Sequence, residues 1–328
     1  MAYRSRTLFA GIPEMKKYLK SAFLGVIVIT AVIFLLHFSQ DAEIQAVVNN
    51  PEASTKLDEK ALEAALTAQA LQPLAAKEHA ASLSGSQDAA DMLRSSRDYR
   101  VVHEALTQAG TTEARFYAKD ILRRCLAMRK LGFQPIAVVS AQQEFARELL
   151  QARCSSFSDE ELSLDALRQV DSDPRYPRGL FELSQEWTEA ANAGNETRQK
   201  DVFSRILQAD DALLLQHVGL SLLGQYRDAV SLGDVEFIGN AALNSMRWAW
   251  IAAVCEGTGT DCGVGDAYLV EICANMDICE SSRIRALRAL VARDEGEKQL
   301  AKFDAAHAMF VKAIQSRDVR LFFPQHTQ

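Results

Sequence analysis

The sequence predicts an all-α protein: one N-terminal transmembrane helix followed by an irregular helical-hairpin bundle or short α-solenoid-like domain held by disulfides. Three observations carry that expectation. Apolar residues recur at helical spacing through most of residues 57–317, an uncharged apolar segment occupies Ala22 to Phe38, and all six cysteines lie on the C-terminal side of that segment. With 48% hydrophobic residues but only 16 Gly and 7 Pro in 328 residues, collagen-like and low-complexity chains are excluded.

The segment Ala22 to Phe38, AFLGVIVITAVIFLLHF, contains no Asp, Glu, Lys or Arg, and His37 is its one titratable side chain. At about 1.5 Å per residue it forms a helix of roughly 25 Å, which Tyr18, Leu19 and a snorkelling Lys20 extend toward the ~30 Å of a hydrocarbon layer. A cleaved signal peptide fits less well, because small-residue cleavage sites would place Gln40 or Ile44 three positions before the cut. Arg4, Arg6, Lys16, Lys17 and Lys20 precede the span while Asp41 and Glu43 follow it. The positive-inside rule then keeps the N-terminus cytoplasmic and exports the rest. The expected localisation is the inner membrane of a bacterium, single-pass, with the C-terminal domain periplasmic. The implied organisation is a basic cytoplasmic N-terminus (1–21), the transmembrane helix (22–38), a linker (39–56), a helical subdomain (57–170) and a second one (178–328) carrying a four-cysteine loop.

Charge excludes one class of partner. The net charge is −7, and because residues 1–21 are basic the exported part is more acidic still. Such a body repels a nucleic-acid backbone.

Along the exported part, the stretch Leu57 to Gln72 is a good helix former. A second helix is expected from Asp88 through Leu106, stopping near Gly110. Thr111-Thr112 is placed to cap a third with the stripe Ala114, Tyr117, Ile121, Cys125 and Met128, closed by Gly132. Ser140 is placed to cap a fourth that carries Phe145, Leu149 and Leu150 toward Cys154. The pattern Ser158-Asp159-Glu160-Glu161 is a capping box for a short helix to Val170, and two prolines within Asp171 to Pro177 mark an internal boundary. Beyond it, helices are expected over Gly179 to Ala193, Thr197 to about Gln225, Val235 (capped by Asp234) to Glu256, Ser282 to Arg293 and Gly296 to Arg317. One segment, Val319 to Phe323, has strand character. No fixed repeat period recurs, so a named solenoid repeat is not supported.

The cysteines are the expected site residues: Cys125, Cys154, Cys255, Cys262, Cys273 and Cys279. In an oxidising compartment an even number reads as disulfides. Clustering suggests Cys125 with Cys154 and two bridges among the other four, whose pairing the sequence leaves open. Helix counting puts Cys125 and Cys154 at different levels of a hairpin, so that bridge needs an asymmetric loop or a helix that stops before Cys154. A tetrahedral zinc site among the C-terminal four is the competing reading, but neither pair has the C-x2-4-C spacing of structural zinc sites.

Arg247-Trp248-Ala249-Trp250, then Cys255, Gly259, Asp261-Cys262-Gly263, Cys273 and Cys279, with Arg124-Cys125 and Ala152-Arg153-Cys154 upstream, resemble a group of uncharacterised proteobacterial single-span envelope proteins. The resemblance implies a helical, exported domain stapled by cysteines and implies no activity.

Catalytic signatures are absent from the sequence: no G-x-S-x-G, H-E-x-x-H or P-loop occurs. No two of the six histidines stand at i+3 or i+4 spacing, and His217 among leucines reads as a hydrogen-bonded core residue. Glu280-Ser281 is similar to the Glu-Ser pair of lytic transglycosylases, but that family's downstream Gly-Leu-Met-Gln-like segment is replaced by RIRALRALVARDEG. The expected function is therefore noncatalytic, without a cofactor: protein interaction with an envelope partner, or structural support. The alternative is a periplasmic hydrolase acting on peptidoglycan.

Overall fold

Helix α9 (Gly239–Thr258) is the axis of the protein, with Leu243, Met246, Ala249, Trp250, Ala253 and Val254 all at 1% exposure or less. A helix apolar on nearly all faces has to be surrounded, and neighbours supply that cover. In the computed structural model, which describes residues 86–132, 138–175 and 177–323, α9 packs most extensively on α12 (Glu297–Ser316), then on α8 (Ala212–Leu223) and α11 (Arg283–Asp294). Two glycines permit close approach. A Cβ on Gly219 of α8 would meet the Trp250 indole at 2.1 Å, and one on Gly257 would meet Ile314 at 2.7 Å. The Trp250 N–H donates to the Leu215 carbonyl at 3.1 Å.

The other helices are α1 (Ser86–Ser95), α2 (Tyr99–Ala109), α3 (Ala114–Leu131), α4 (Ala141–Ser155), α5 (Leu164–Ser172), α6 (Gly179–Asn192), α7 (Glu196–Ala209) and α10 (Ala267–Met276). The all-α class holds, with one small β-hairpin added. Sequence neighbours pair as α2 with α3 and α6 with α7, but α4 packs chiefly along α10, more than a hundred residues away. The expected boundary at Asp171 to Pro177 separates stretches that share one apolar core. The C-terminal aromatics close that core: Phe322 is 1% exposed and sits 4.8 Å from Phe203, 5.3 Å from Trp250 and 5.7 Å from Phe310, ring to ring.

Several expected elements form where the sequence places them. Ser140 caps α4 by accepting from Gln143 N at 3.1 Å, Gly110 ends α2 in the left-handed region and Gly132 ends α3. Other expectations need correction. The single helix from Asp88 to Leu106 is two, because Asp98 takes an extended conformation and accepts from Arg100 N at 2.9 Å, starting α2 afresh. Thr111-Thr112 does not cap α3, whose first turn has no side-chain cap. The capping box forms, with Ser158 N to Glu161 Oε2 at 2.8 Å and Glu161 N to Ser158 Oγ at 3.3 Å, yet it closes only a turn; α5 begins later, capped by Ser163.

The long helix expected from Thr197 to Gln225 breaks at Asp210, whose φ is 55°, and Asp211 recaps α8 through Leu214 N at 2.7 Å. Residues 235–238 are not helical either. They form β2 (Val235–Ile238), paired antiparallel with β1 (Ala229–Leu232) across the turn Gly233-Asp234. Gly233 has φ 54°, and a Gly-Asp pair between apolar strands is a two-residue hairpin signal. Val319–Leu321 is a 3-10 turn with Asp318 capping it, not a strand, and the supposed cysteine loop contains α10.

The expected transmembrane segment Ala22 to Phe38, the linker and the helix from Leu57 lie outside the described residues. Among the described residues no helix is long and apolar enough to cross a membrane.

Candidate functional site

All six predicted cysteines are brought together in pairs. Cys125 meets Cys154, Cys255 meets Cys262 and Cys273 meets Cys279, with Cα separations of 5.3, 5.9 and 4.5 Å, inside the usual disulfide range. The first pair joins α3 to α4 although α4 continues through Cys154. Because α4 lies along α10 and meets α3 only locally, the levels of a parallel-sided hairpin do not apply. The second ties the end of α9 to the following loop, and the third closes the C-terminus of α10.

Beside these staples lies a cluster of buried charge. Asp120 on α3 has a side chain 3% exposed and carries two guanidinium partners from its own helix. Its Oδ1 accepts from Arg123 Nη2 at 2.6 Å and its Oδ2 from Arg124 Nε at 2.5 Å. Spacings of three and four residues put all three on one helical face. Arg124, adjacent to Cys125, also donates to Glu271 Oε1 of α10 at 2.6 Å. From α8, His217 brings Nε2 to 3.2 Å from Asp120 Oδ1 and 2.9 Å from Arg123 Nη2, with its ring edge-to-face to Phe116. One turn earlier on α3 the Tyr117 hydroxyl donates to Asp211 Oδ2 at 2.9 Å, which fixes the α7–α8 break against α3.

Two more arginines extend the cluster. Arg283, 7% exposed, donates to Asp266 at 3.0 and 2.6 Å and to Gln216 Oε1 at 2.7 Å, linking α11, the cap of α10 and α8. Arg153, adjacent to Cys154 and 1% exposed, lies over the Tyr99 ring and donates to the carbonyls of Ser96, Arg94 and Gly265 at 3.1, 3.0 and 2.7 Å. Guanidinium groups suit this work because their donors fan out in one plane and never deprotonate.

The electrostatics fix the protonation states. Burial on its own would raise the Asp120 carboxyl, but Arg124 and then Arg123 outweigh it and hold it well below the usual carboxylate range. Asp266 behaves likewise, burial opposed by Arg283. Burial lowers His217, and Arg123 lowers it further, while Asp120 pulls the other way, so the imidazole is neutral near pH 7. Tyr117 is pushed up by burial and by Asp211.

An ionised carboxylate clamped between guanidinium groups is a poor general acid, and its lone pairs are already committed. Ser221, one turn beyond His217, accepts from Trp187 Nε1 at 3.2 Å and does not complete a nucleophile system. Glu280, on the loop before α11, pairs with Arg285 at 3.1 Å, and Ser281 Oγ accepts from the same guanidinium at 3.4 Å. Among the described residues no group of three or more His, Cys, Asp or Glu is arranged to hold a metal ion.

No known protein family, curated protein or solved structure matches this chain. Its site has to be read from its own residues. Those that sequence reasoning missed are Asp120, Arg124, Arg153, Asp266 and Arg283. A signal for three of them was present: Arg124 and Arg153 each immediately precede a cysteine of the same bridge, and Asp120 stands one helical turn before Arg124. Asp266 and Arg283 carried none, since they stand 17 residues apart in the sequence and meet only in the folded chain.

Proposed function

We propose that this chain is a noncatalytic, single-span envelope protein of a bacterial inner membrane. Ala22 to Phe38 anchors it with the N-terminus in the cytoplasm, and the disulfide-stapled helical domain stands in the periplasm for protein interaction or structural support. The observation that carries the reading is the pairing of all six cysteines, every one of them C-terminal to the apolar segment. Three bridges in one chain belong to an oxidising compartment. The architecture within that domain is an irregular bundle: α4 packs along α10 through contacts between residues 131 apart in the sequence, unlike a solenoid in which each repeat touches its neighbours.

Support for a noncatalytic role comes from the commitment of three buried carboxylates to internal partners. Asp120, Asp211 and Asp266 each accept from side chains or backbone that hold the helices together. A peptidoglycan hydrolase would have to work through Glu280, whose carboxylate forms an ion pair with Arg285 at 3.1 Å. The test is intact-mass analysis of the full chain from membranes, alkylated with and without prior reduction, together with protease digestion of spheroplasts. Six alkyl groups gained only after reduction, with the C-terminal domain digested from outside, is the expected result. Free thiols, or a domain protected in spheroplasts, would overturn the reading.

A further inference from the structure

The hairpin β1–β2 has two outer edges, and they are not treated alike. Leu232 and Val235 flank the two-residue turn as a hydrogen-bonded pair, Val230 and Phe237 form the next, and Gly239 N donates to Asp228 O at 2.9 Å in the third. Alternation along the strand therefore turns the N–H and C=O groups of Ala229 and Ser231 away from β2, and those of Glu236 and Ile238 away from β1. On the β2 side, Lys302 of α12 donates Nζ to the Glu236 carbonyl at 2.6 Å and lies over the Phe237 ring, a lysine blocking a strand edge. The β1 side has no such cover: Ala229 and Ser231 are exposed, and among the described residues their outward backbone groups have no partner.

We propose that β1 pairs with β1 of a second copy of this chain, antiparallel about a two-fold axis at Val230, joining two hairpins into one sheet. The edge is self-complementary in that register. Ala229 faces Ser231 of the second copy and Ser231 faces its Ala229, so the outward N–H and C=O groups of both residues are satisfied reciprocally, as an isologous interface requires. Charge complements it at the flanks. Arg227 comes opposite Gly233 of the second copy, beside its Asp234, and among the described residues neither Arg227 nor Asp234 forms an ion pair within its own chain. On the outward face, Ile238, 64% exposed, shares a cross-strand row with Ala229 and with Ser231 of the second copy. This pairing depends on the hairpin alone and stands whether or not the membrane anchor does.

The test is the mass of the full-length protein in detergent, by light scattering across a dilution series, for wild type, Ser231→Pro, Arg227→Asp and the reversal Arg227→Asp with Asp234→Arg. Proline removes an outward N–H and leaves the hairpin's own bonds in place. The wild type is expected to dimerise, and Ser231→Pro to raise the dissociation constant tenfold or more with an unchanged circular dichroism spectrum. If that variant misfolds, the charge pair decides: Arg227→Asp weakens the dimer and the double reversal restores it. A wild type that stays monomeric through the micromolar range overturns the proposal and leaves the edge to a strand of another protein. A dimer whose dissociation constant none of the substitutions moves also overturns it.

Discussion

The Arg153 guanidinium donates at 2.7 Å to the carbonyl of Gly265, 112 residues later in the chain, and the two groups are buried together. The same side chain holds the carbonyls of Arg94 and Ser96, so one residue ties α4, the α1–α2 junction and the loop before α10. Those carbonyls point inward because the α1–α2 break and the Gly265 turn, at φ 88°, take the backbone out of helical pairing. Arg153→Met keeps the apolar stem but leaves the carbonyls without donors. At about 1 kcal/mol or more for each bond to a charged group, the variant should lose roughly 3 kcal/mol, and Arg153→Lys should recover only part of it. Guanidinium denaturation followed by tryptophan fluorescence measures both.

Gly219 faces the Trp250 indole at the crossing of α8 and α9, and an added methyl would lie 2.1 Å from the ring. The indole is fully buried and fixed by its bond to Leu215 O, so it has nowhere to retreat. Gly219→Ala is expected to cost about 1–3 kcal/mol through overpacking, outweighing the helix propensity gained by alanine. As a contrast, Gly110→Ala meets nothing within 4 Å and costs only the strain of a left-handed residue, about 1 kcal/mol. Thermal melts of the two variants should rank in that order.

The three staples differ in the length of chain they close. Cys125–Cys154 spans 29 residues, whereas Cys255–Cys262 and Cys273–Cys279 span 7 and 6. Loop-closure entropy then assigns about 3.5 kcal/mol to the first and about 2.5 kcal/mol to each of the others. The first also sits between Arg124 and Arg153, so its loss loosens both arginine clamps. Replacing both of its cysteines by alanine should lower the denaturation midpoint more than either short-loop double replacement does. An equal or smaller loss would place the stabilisation elsewhere.

What was legible in the sequence follows from the range of each interaction. The face of α3 from Ala114 to Cys125, the cap at Ser140 and the stop at Gly110 depend on residues within a turn or two, and pattern reading finds them. The break at Asp210-Asp211 was hidden because its stabilising partner, the Tyr117 hydroxyl, lies 94 residues away. The hairpin at Gly233-Asp234 was hidden for another reason: Val235, Phe237 and Ile238 also fit the helical stripe that continues into α9, and that stripe competes with the two-residue turn signal. Of the buried charge cluster, only the Asp120, Arg123 and Arg124 spacing was local. Its contacts with His217 and Glu271 exist only once α8 and α10 pack on α3.

Acid sensitivity follows from His217, His103 and His307, all lowered from the ordinary imidazole value with burial as the first cause. A group whose folded-state value lies below its unfolded value, about 6.5 for histidine, is held neutral by folding. Its neutral form is fully compatible with the folded protein above that pH. As pH falls below about 6.5 the unfolded chain binds protons that the folded one does not, so stability declines until the folded-state value is reached. For His217 the opposing groups are Arg123 and Arg124 on α3, with Asp120 offsetting them in part, so the imidazole is held by both desolvation and cation repulsion. His217→Gln keeps a polar, uncharged group in the same place. Denaturation midpoints measured from pH 8 to pH 5 should fall for the wild type and fall less steeply for this variant. The depressed Asp120 and Asp266 carboxyls add a second, lower window: their stabilisation is present above about pH 4 and is lost as pH drops toward their folded-state values. Parallel pH slopes for wild type and His217→Gln would show that His217 is not among the groups that set the upper window.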